Sequence, residues 1–155
     1  MAVHGIDYCE EPIPSAYTLA DLARFARLRE SSPIPIALDQ SVTGPEITRR
    51  IIDAGAADVL IMKSQAMGGF DRSVEIILLA EAAGVLSVMT SSLETAVGLT
   101  ASLHGGAVLG PPLPACGLSL GRFFARDVCE KPAIDNGVMR VPEGPGLGIE
   151  APELV

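Results

Sequence analysis

Three apolar runs end in charged side chains at nearly constant spacing: Ile6-Asp7-Tyr8-Cys9-Glu10-Glu11-Pro12, Pro35-Ile36-Ala37-Leu38-Asp39-Gln40 and Asp58-Val59-Leu60-Ile61-Met62-Lys63. Asp39 follows Glu10 by 29 residues, and Lys63 follows Asp39 by 24. That is the length of a strand plus a helix that carries the chain back to the same end of a parallel sheet. The second and third runs are continuously apolar over Ile36 to Leu38 and Val59 to Met62, as strands buried on both faces require. In a (β/α) barrel, chemistry collects at the carboxyl ends of the strands, where loops vary freely while the rest of each unit builds the barrel. Glu10, Asp39 and Lys63 therefore read as the rim of a site.

The intervening segments carry helical periodicity. Ser15 to Thr18 can cap a helix reaching about Glu30, with Leu19, Leu22, Phe25 and Ala26 on one face. Thr43-Gly44-Pro45-Glu46 has a capping-box pattern with proline in the first turn, and the helix it opens stops at Gly55. Val74, Ile77, Leu78 and Ala80 mark a third helix ending at Gly84. A fourth strand, Val85 to Met89, leads through Thr90-Ser91-Ser92-Leu93-Glu94 into an Ala-rich helix that ends near His104-Gly105-Gly106. A fifth strand is placed around Leu113 to Leu118. From Lys131 the composition turns to Pro and Gly, with Asn136-Gly137 as a hairpin turn. The fold class is α/β: a partial (β/α) barrel of about five parallel strands with covering helices over residues 1–130, and a carboxyl-terminal tail with a hairpin over 131–155.

Composition narrows the function. The 155 residues are 48% hydrophobic and 19% charged, which suits a buried core. A net charge of −8 without a dense Lys/Arg cluster argues against nucleic acid. The sequence has no apolar stretch long enough for a bilayer and no signal-like start, so it reads as cytoplasmic and not membrane-bound. Cys9, Cys116 and Cys129 are odd in number and widely spaced, and read as reduced thiols, mostly core filler. His4 and His104 have no neighbours that suggest a catalytic dyad.

The ordered series Tyr8-Cys9-Glu10-Glu11-Pro12, Ala37-Leu38-Asp39-Gln40-Ser41, Asp58 to Lys63 with Met67-Gly68-Gly69, Thr90 to Thr95, and Gly144-Pro145-Gly146-Leu147-Gly148-Ile149 resembles the second half of an enolase-superfamily barrel. It is most similar to the muconate lactonizing subgroup, which also holds o-succinylbenzoate synthases and N-acylamino acid racemases. The resemblance implies a modified (β/α)7β barrel and a divalent metal held by strand-end carboxylates, with Glu10 and Asp39 as two of three ligands. The metal would be Mg²⁺ or another divalent cation such as Mn²⁺. Lys63 matches the lysine facing one side of a small carboxylate substrate, as acid/base in a racemase or as an electrostatic stabiliser in a synthase. Ser91, Ser92 and Glu94 would line the substrate, and Glu11 and Gln40 would orient the ligands from behind. Abstracting a proton beside a carboxylate gives an enediolate, whose charge a hard cation with oxygen ligands can accept.

The sequence also departs from that pattern. A closed barrel of this kind takes at least about 200 residues. The Lys-x-Lys strand, the first ligand's strand and the amino-terminal capping domain have no counterpart here, so the metal site is incomplete and the chain by itself is not expected to be active. Gln40 stands where an acid usually follows the third ligand. The chain is read as a truncated form, as one that pairs with a separate amino-terminal half, or as a homo-oligomer joined through its open sheet edges. The reaction implied is o-succinylbenzoate synthase-like dehydration, with N-acylamino acid racemase, dipeptide epimerase and muconate cycloisomerase as alternatives. A non-catalytic, flavodoxin-like binding module is the alternative from another class. Its usual site needs a Gly-rich turn after the first strand, where this chain has Glu-Glu-Pro.

Overall fold

A computed structural model describes residues 4–16 and 18–150. Four strands, β1 (Cys9–Glu10), β2 (Ile36–Leu38), β3 (Val59–Lys63) and β4 (Leu86–Thr90), form one sheet in sequence order. Every pairing is parallel. Between and after them run α1 (Leu19–Ser31), α2 (Pro45–Asp53), α3 (Phe70–Ala82) and α4 (Ala96–Gly106). The repeated unit read from the sequence is the one the chain adopts.

Strand alternation sends successive side chains to opposite faces, and the core divides accordingly. Ile36, Leu38, Leu60, Met62 and Met89 meet Phe25, Ile51, Ile76 and Leu99 from the helices in the larger cluster. Ala37, Val59, Ile61 and Val88 form a smaller cluster on the other face, with Tyr8 packed against it. This concave side continues upward into Glu10, Asp39 and Lys63. At the opposite end of the sheet, Asp58 ties the layers together, accepting Ile36 N at 2.9 Å through Oδ2 and Arg29 Nε at 2.7 Å through Oδ1.

The helix starts have distinct causes. Thr18 caps α1 in a full capping box: Asp21 N donates to Thr18 Oγ1 at 3.3 Å, and Thr18 N donates to Asp21 Oδ2 at 3.1 Å. The box expected at Thr43 and Glu46 does not form. The helix begins one residue later, with Gly44 as an N-cap lacking a side-chain bond and Pro45 in the first turn. Glu46 instead pairs with Arg50 at 2.6 Å. Gly55 and Gly84 follow their helices at φ 61° and 69°, left-handed values that favour glycine at a helix exit.

The fifth extended segment joins the sheet at one bridge, Gly117 beside Thr90. Gly117 N donates to Met89 O at 2.9 Å and Ser91 N donates to Gly117 O at 3.1 Å. Pro111, Pro112 and Pro114 have no N–H to extend a ladder. Beyond a 3₁₀ turn at Leu120–Phe123, the strands β5 (Ile134–Asp135) and β6 (Val138–Met139) make the antiparallel hairpin around Asn136-Gly137. Met139 and Val141 pack on the core, and His104 Nε2 lies 3.1 Å from Leu147 O. Among the described residues, no helix is long and apolar enough to cross a membrane.

Candidate active site

The sheet register explains how the charges come together. Glu10 is level with Ala37, so Asp39 lies two residues further along its strand. Leu38 is level with Leu60, which sets Asp39 beside Ile61 and leaves Lys63 two residues further again. Lys63 is level with Thr90, and the next step of two reaches Ser92. Each offset between the charges runs the same way, as in strands inclined to a common axis, and each is even, so Glu10, Asp39 and Lys63 stay on one face, while Ser92 lies just beyond the end of β4.

Lys63 Nζ forms an ion pair with Asp39 Oδ1. Partial desolvation of the Glu10 carboxyl pushes its pKa above the ordinary value, the negative charge of Asp39 adds to this, and Lys63 pulls part of it back. Behind the pair, Glu11 Oε1 accepts Asp39 N at 3.1 Å, Ser41 N at 3.2 Å and Ser41 Oγ at 3.2 Å. Glu11 thus orients the segment that presents Asp39, while Gln40 is exposed at the surface. The loop after Lys63 folds back tightly: Met67 N donates to Lys63 O at 3.2 Å and Gly69 N to Ser64 O at 2.9 Å.

The segment after β4 is anchored inward. Ser91 Oγ and Thr90 Oγ1 both donate to Gly117 O, at 3.3 and 2.9 Å. Glu94 is buried, accepting Ser92 N at 3.4 Å through one oxygen and Ser102 Oγ at 3.2 Å through the other. Burial pushes the Glu94 pKa up, and those two bonds oppose the shift. Ser91 and Glu94 are therefore engaged by the protein, and half-buried Ser92 is the member of the segment at the next register step.

Below the charges is a cavity of about 260 Å³ lined by Tyr8, Glu10, Ile61, Thr90 and Cys116 among others. A larger apolar groove of about 540 Å³ lies elsewhere, between α4, Leu113 to Ser119 and the hairpin, away from the strand-end charges. Tyr8 escaped the sequence reading although strand alternation places it on the face of Glu10. Asp127, which accepts Ala96 N at 2.9 Å, acts across 31 residues, a separation that no local pattern announces, and Ser102 reaches Glu94 from the second turn of α4.

Among the described residues, no group of three or more His, Cys, Asp or Glu side chains is gathered to hold a metal ion. Glu10 and Asp39 nevertheless suit a hard divalent cation as two oxygen donors. Partial desolvation first, and the negative charge of Asp39 second, push the Glu10 pKa up, and a cation between the two carboxylates would offset both.

The model of the family described as enolase C-terminal domain-like matches residues 1–155. The chain is 37% identical over 146 residues to the N-succinylamino acid racemase of Thermus thermophilus, covering 93% of this chain and 38% of that protein. It is 38% identical over 138 residues to the o-succinylbenzoate synthase of Thermobifida fusca, covering 88% and 40%. The crystal structure of 2-chloromuconate cycloisomerase from Rhodococcus opacus 1CP superposes with a TM-score of 0.86 at 30% identity, over 98% of this chain and 40% of that one. The chain thus spans about two fifths of the length of these relatives. It belongs to the enolase C-terminal domain-like family, in the muconate lactonizing branch of the enolase superfamily.

Proposed function

We propose that the chain is the carboxy-terminal part of an enzyme that removes a proton from the carbon beside a substrate carboxylate, in an o-succinylbenzoate synthase-like dehydration. The observation that carries this reading is the register that brings Glu10, Asp39 and Lys63 onto one face at consecutive strand ends. Glu10 and Asp39 would hold a divalent cation, Mg²⁺ or Mn²⁺. When bound, such a cation takes up negative charge that builds on a carboxylate as the neighbouring proton leaves. Lys63 faces the same space: its ammonium, released from Asp39, can stabilise that charge or return a proton to the carbon, and only its neutral amine can take the proton from it. Glu11 keeps Asp39 aimed at the opening throughout.

Similarity to a synthase, a racemase and a cycloisomerase supports proton abstraction as the shared chemistry, with the three relatives differing in how the reaction is completed. Racemisation would use the same Lys63 and needs a second base on the opposite side of the carbon, which would come from outside this chain. Two carboxylates leave about four of six Mg²⁺ positions to water or to other groups. These residues by themselves are therefore expected to bind the ion weakly and to turn over little, in a cytoplasmic setting.

Isothermal titration with Mg²⁺ tests the site. The parent chain should give a weak binding isotherm, and Glu10→Gln and Asp39→Asn should each weaken it by about tenfold or more, as loss of a charged oxygen ligand predicts. Mixing the chain with the amino-terminal part of the Thermobifida fusca synthase tests the reaction. Formation of o-succinylbenzoate that depends on Lys63 supports the assignment. No Mg²⁺ heat in any variant, together with no product from the mixture, would remove it.

A further inference from the structure

Helix α4 begins directly after the segment holding Ser91, Ser92 and Glu94, and its start lacks a local cap. Thr95 occupies the N-cap position with φ −67° and ψ 171°, but its side chain makes no capping bond. The Ala96 amide is met instead by Asp127 Oδ1 at 2.9 Å, from 31 residues further along the chain. That oxygen also accepts Val128 N at 2.7 Å, so its own backbone fixes the carboxylate before it reaches α4. The Asp127 side chain is 4% exposed, with Lys131 Nζ 3.7 Å from its Oδ2. Burying a carboxylate is costly unless its charge is used. The amino end of a helix uses it, because unpaired N–H groups and the helix dipole both favour an anion there.

Two further contacts carry this anchor to the opening. Ser102, fully buried on α4, donates to Glu94 Oε2 at 3.2 Å, and Glu94 Oε1 takes Ser92 N at 3.4 Å. Gly98 makes room for the Glu94 side chain, since a Cβ at that position would lie 3.1 Å from Glu94 Cβ. The setting of the first turns of α4 therefore decides where Glu94 lies, and Glu94 decides where Ser92 is held.

We infer that Asp127 is a positioning residue for the site. By capping α4 from the carboxy-terminal segment, it holds Ser92, through Ser102 and Glu94, at the register step that follows Lys63. The role in substrate binding rests on the proposed function above, whereas the hydrogen-bond relay does not. The Asp127 carboxylate meets Ala96, Val128 and Lys131 rather than the proposed cation donors or Lys63, so its effect passes through α4.

Amide hydrogen exchange by NMR on the full chain tests the inference, comparing Ala96 and Ser92 with Leu60 in the centre of β3. Asp127→Ala should speed exchange at Ala96 and Ser92 by about tenfold or more, the expectation for losing a bond to a charged acceptor, while Leu60 changes by less than about threefold. Asp127→Asn keeps an oxygen for the Ala96 amide and should restore both sites to within about threefold of the parent. Ser102→Ala, a milder change should Asp127→Ala fail to fold, should open Ser92 and leave Ala96 protected. A parallel rise at Leu60 would mean that Asp127 serves global stability only, and an unchanged Ser92 beside an open Ala96 would mean that no relay exists. Either result overturns the inference, as does Asn failing where Ala fails. The predicted pattern in a chain that gives no Mg²⁺ heat would leave the relay standing and remove the functional reading alone.

Discussion

At Glu11 the backbone takes φ 41°, a left-handed value that a residue with a side chain rarely keeps without compensation. The compensation is the set of three donors on Oε1, from Asp39 N, Ser41 N and Ser41 Oγ. Glu11→Ala should destabilise the chain by roughly 1–3 kcal/mol, because the buried donors lose a charged acceptor. A lower urea midpoint with an unchanged slope would show it. Asp21 gives a pH-dependent case. Hydrogen bonds from Thr18, together with Arg24 and Ala16, hold its pKa down at about 2. With a folded pKa below the unfolded value, its contribution is complete above the ordinary aspartate range and fades as pH falls toward about 2. The stability gap between the parent and Asp21→Asn, followed by denaturation from neutral to acid pH, should close over that window; a gap independent of pH would refute the assignment. The sequence made Glu10, Asp39 and Lys63 readable because each is a local event, a charge at the end of an apolar run. Asp127 was not readable, since its partner is 31 residues away and an Asp-Val pair looks like many others.

At the level of elements, strands and helices were legible where apolar period and turn residues agreed. Thr18 and Gly84 mark true ends, and Asn136-Gly137 turns the hairpin. The misreadings have physical causes. Leu19 and Leu78 match helical spacing but are 63% and 56% exposed, because spacing gives a face and not how far the neighbouring layer extends. The fifth segment shrank to one bridge for want of proline amides. That bridge depends on Gly117, where a Cβ would lie 2.5 Å from Thr90 Oγ1 and 3.1 Å from Thr90 Cβ. Gly117→Ala should push the segment off β4 and cost about 1–3 kcal/mol, as overpacking does. Faster amide exchange at Ser91, whose N–H donates to Gly117 O, would accompany the lower stability. Unchanged stability and exchange would show that the segment is held from the hairpin side instead.

Over the whole molecule, a sheet of four parallel strands ends on β1, whose outer edge has no strand partner among the described residues. Ile6 and Leu86 are exposed apolar side chains near the ends of that sheet, at 38% and 44%. Unpaired edges favour strand addition, so the purified chain should associate as its concentration rises and should bind an amino-terminal half more readily than itself. Sedimentation velocity over a wide concentration range checks this, and one monomeric species throughout would count against it. The whole architecture was the most legible level, because the spacing of three charges already encoded the repeated unit, whereas the closing partner is not written in these residues. The even offsets from Glu10 to Asp39 to Lys63 make the site a matter of parity. Deleting one residue from β3 would turn its charge into the helix layer and reverse the side chains beyond the deletion within that strand, while deleting two would keep its direction and only lower its height. Length changes in such a chain are therefore tolerated in pairs or outside the strands, and a single-codon slip does more damage here than most substitutions.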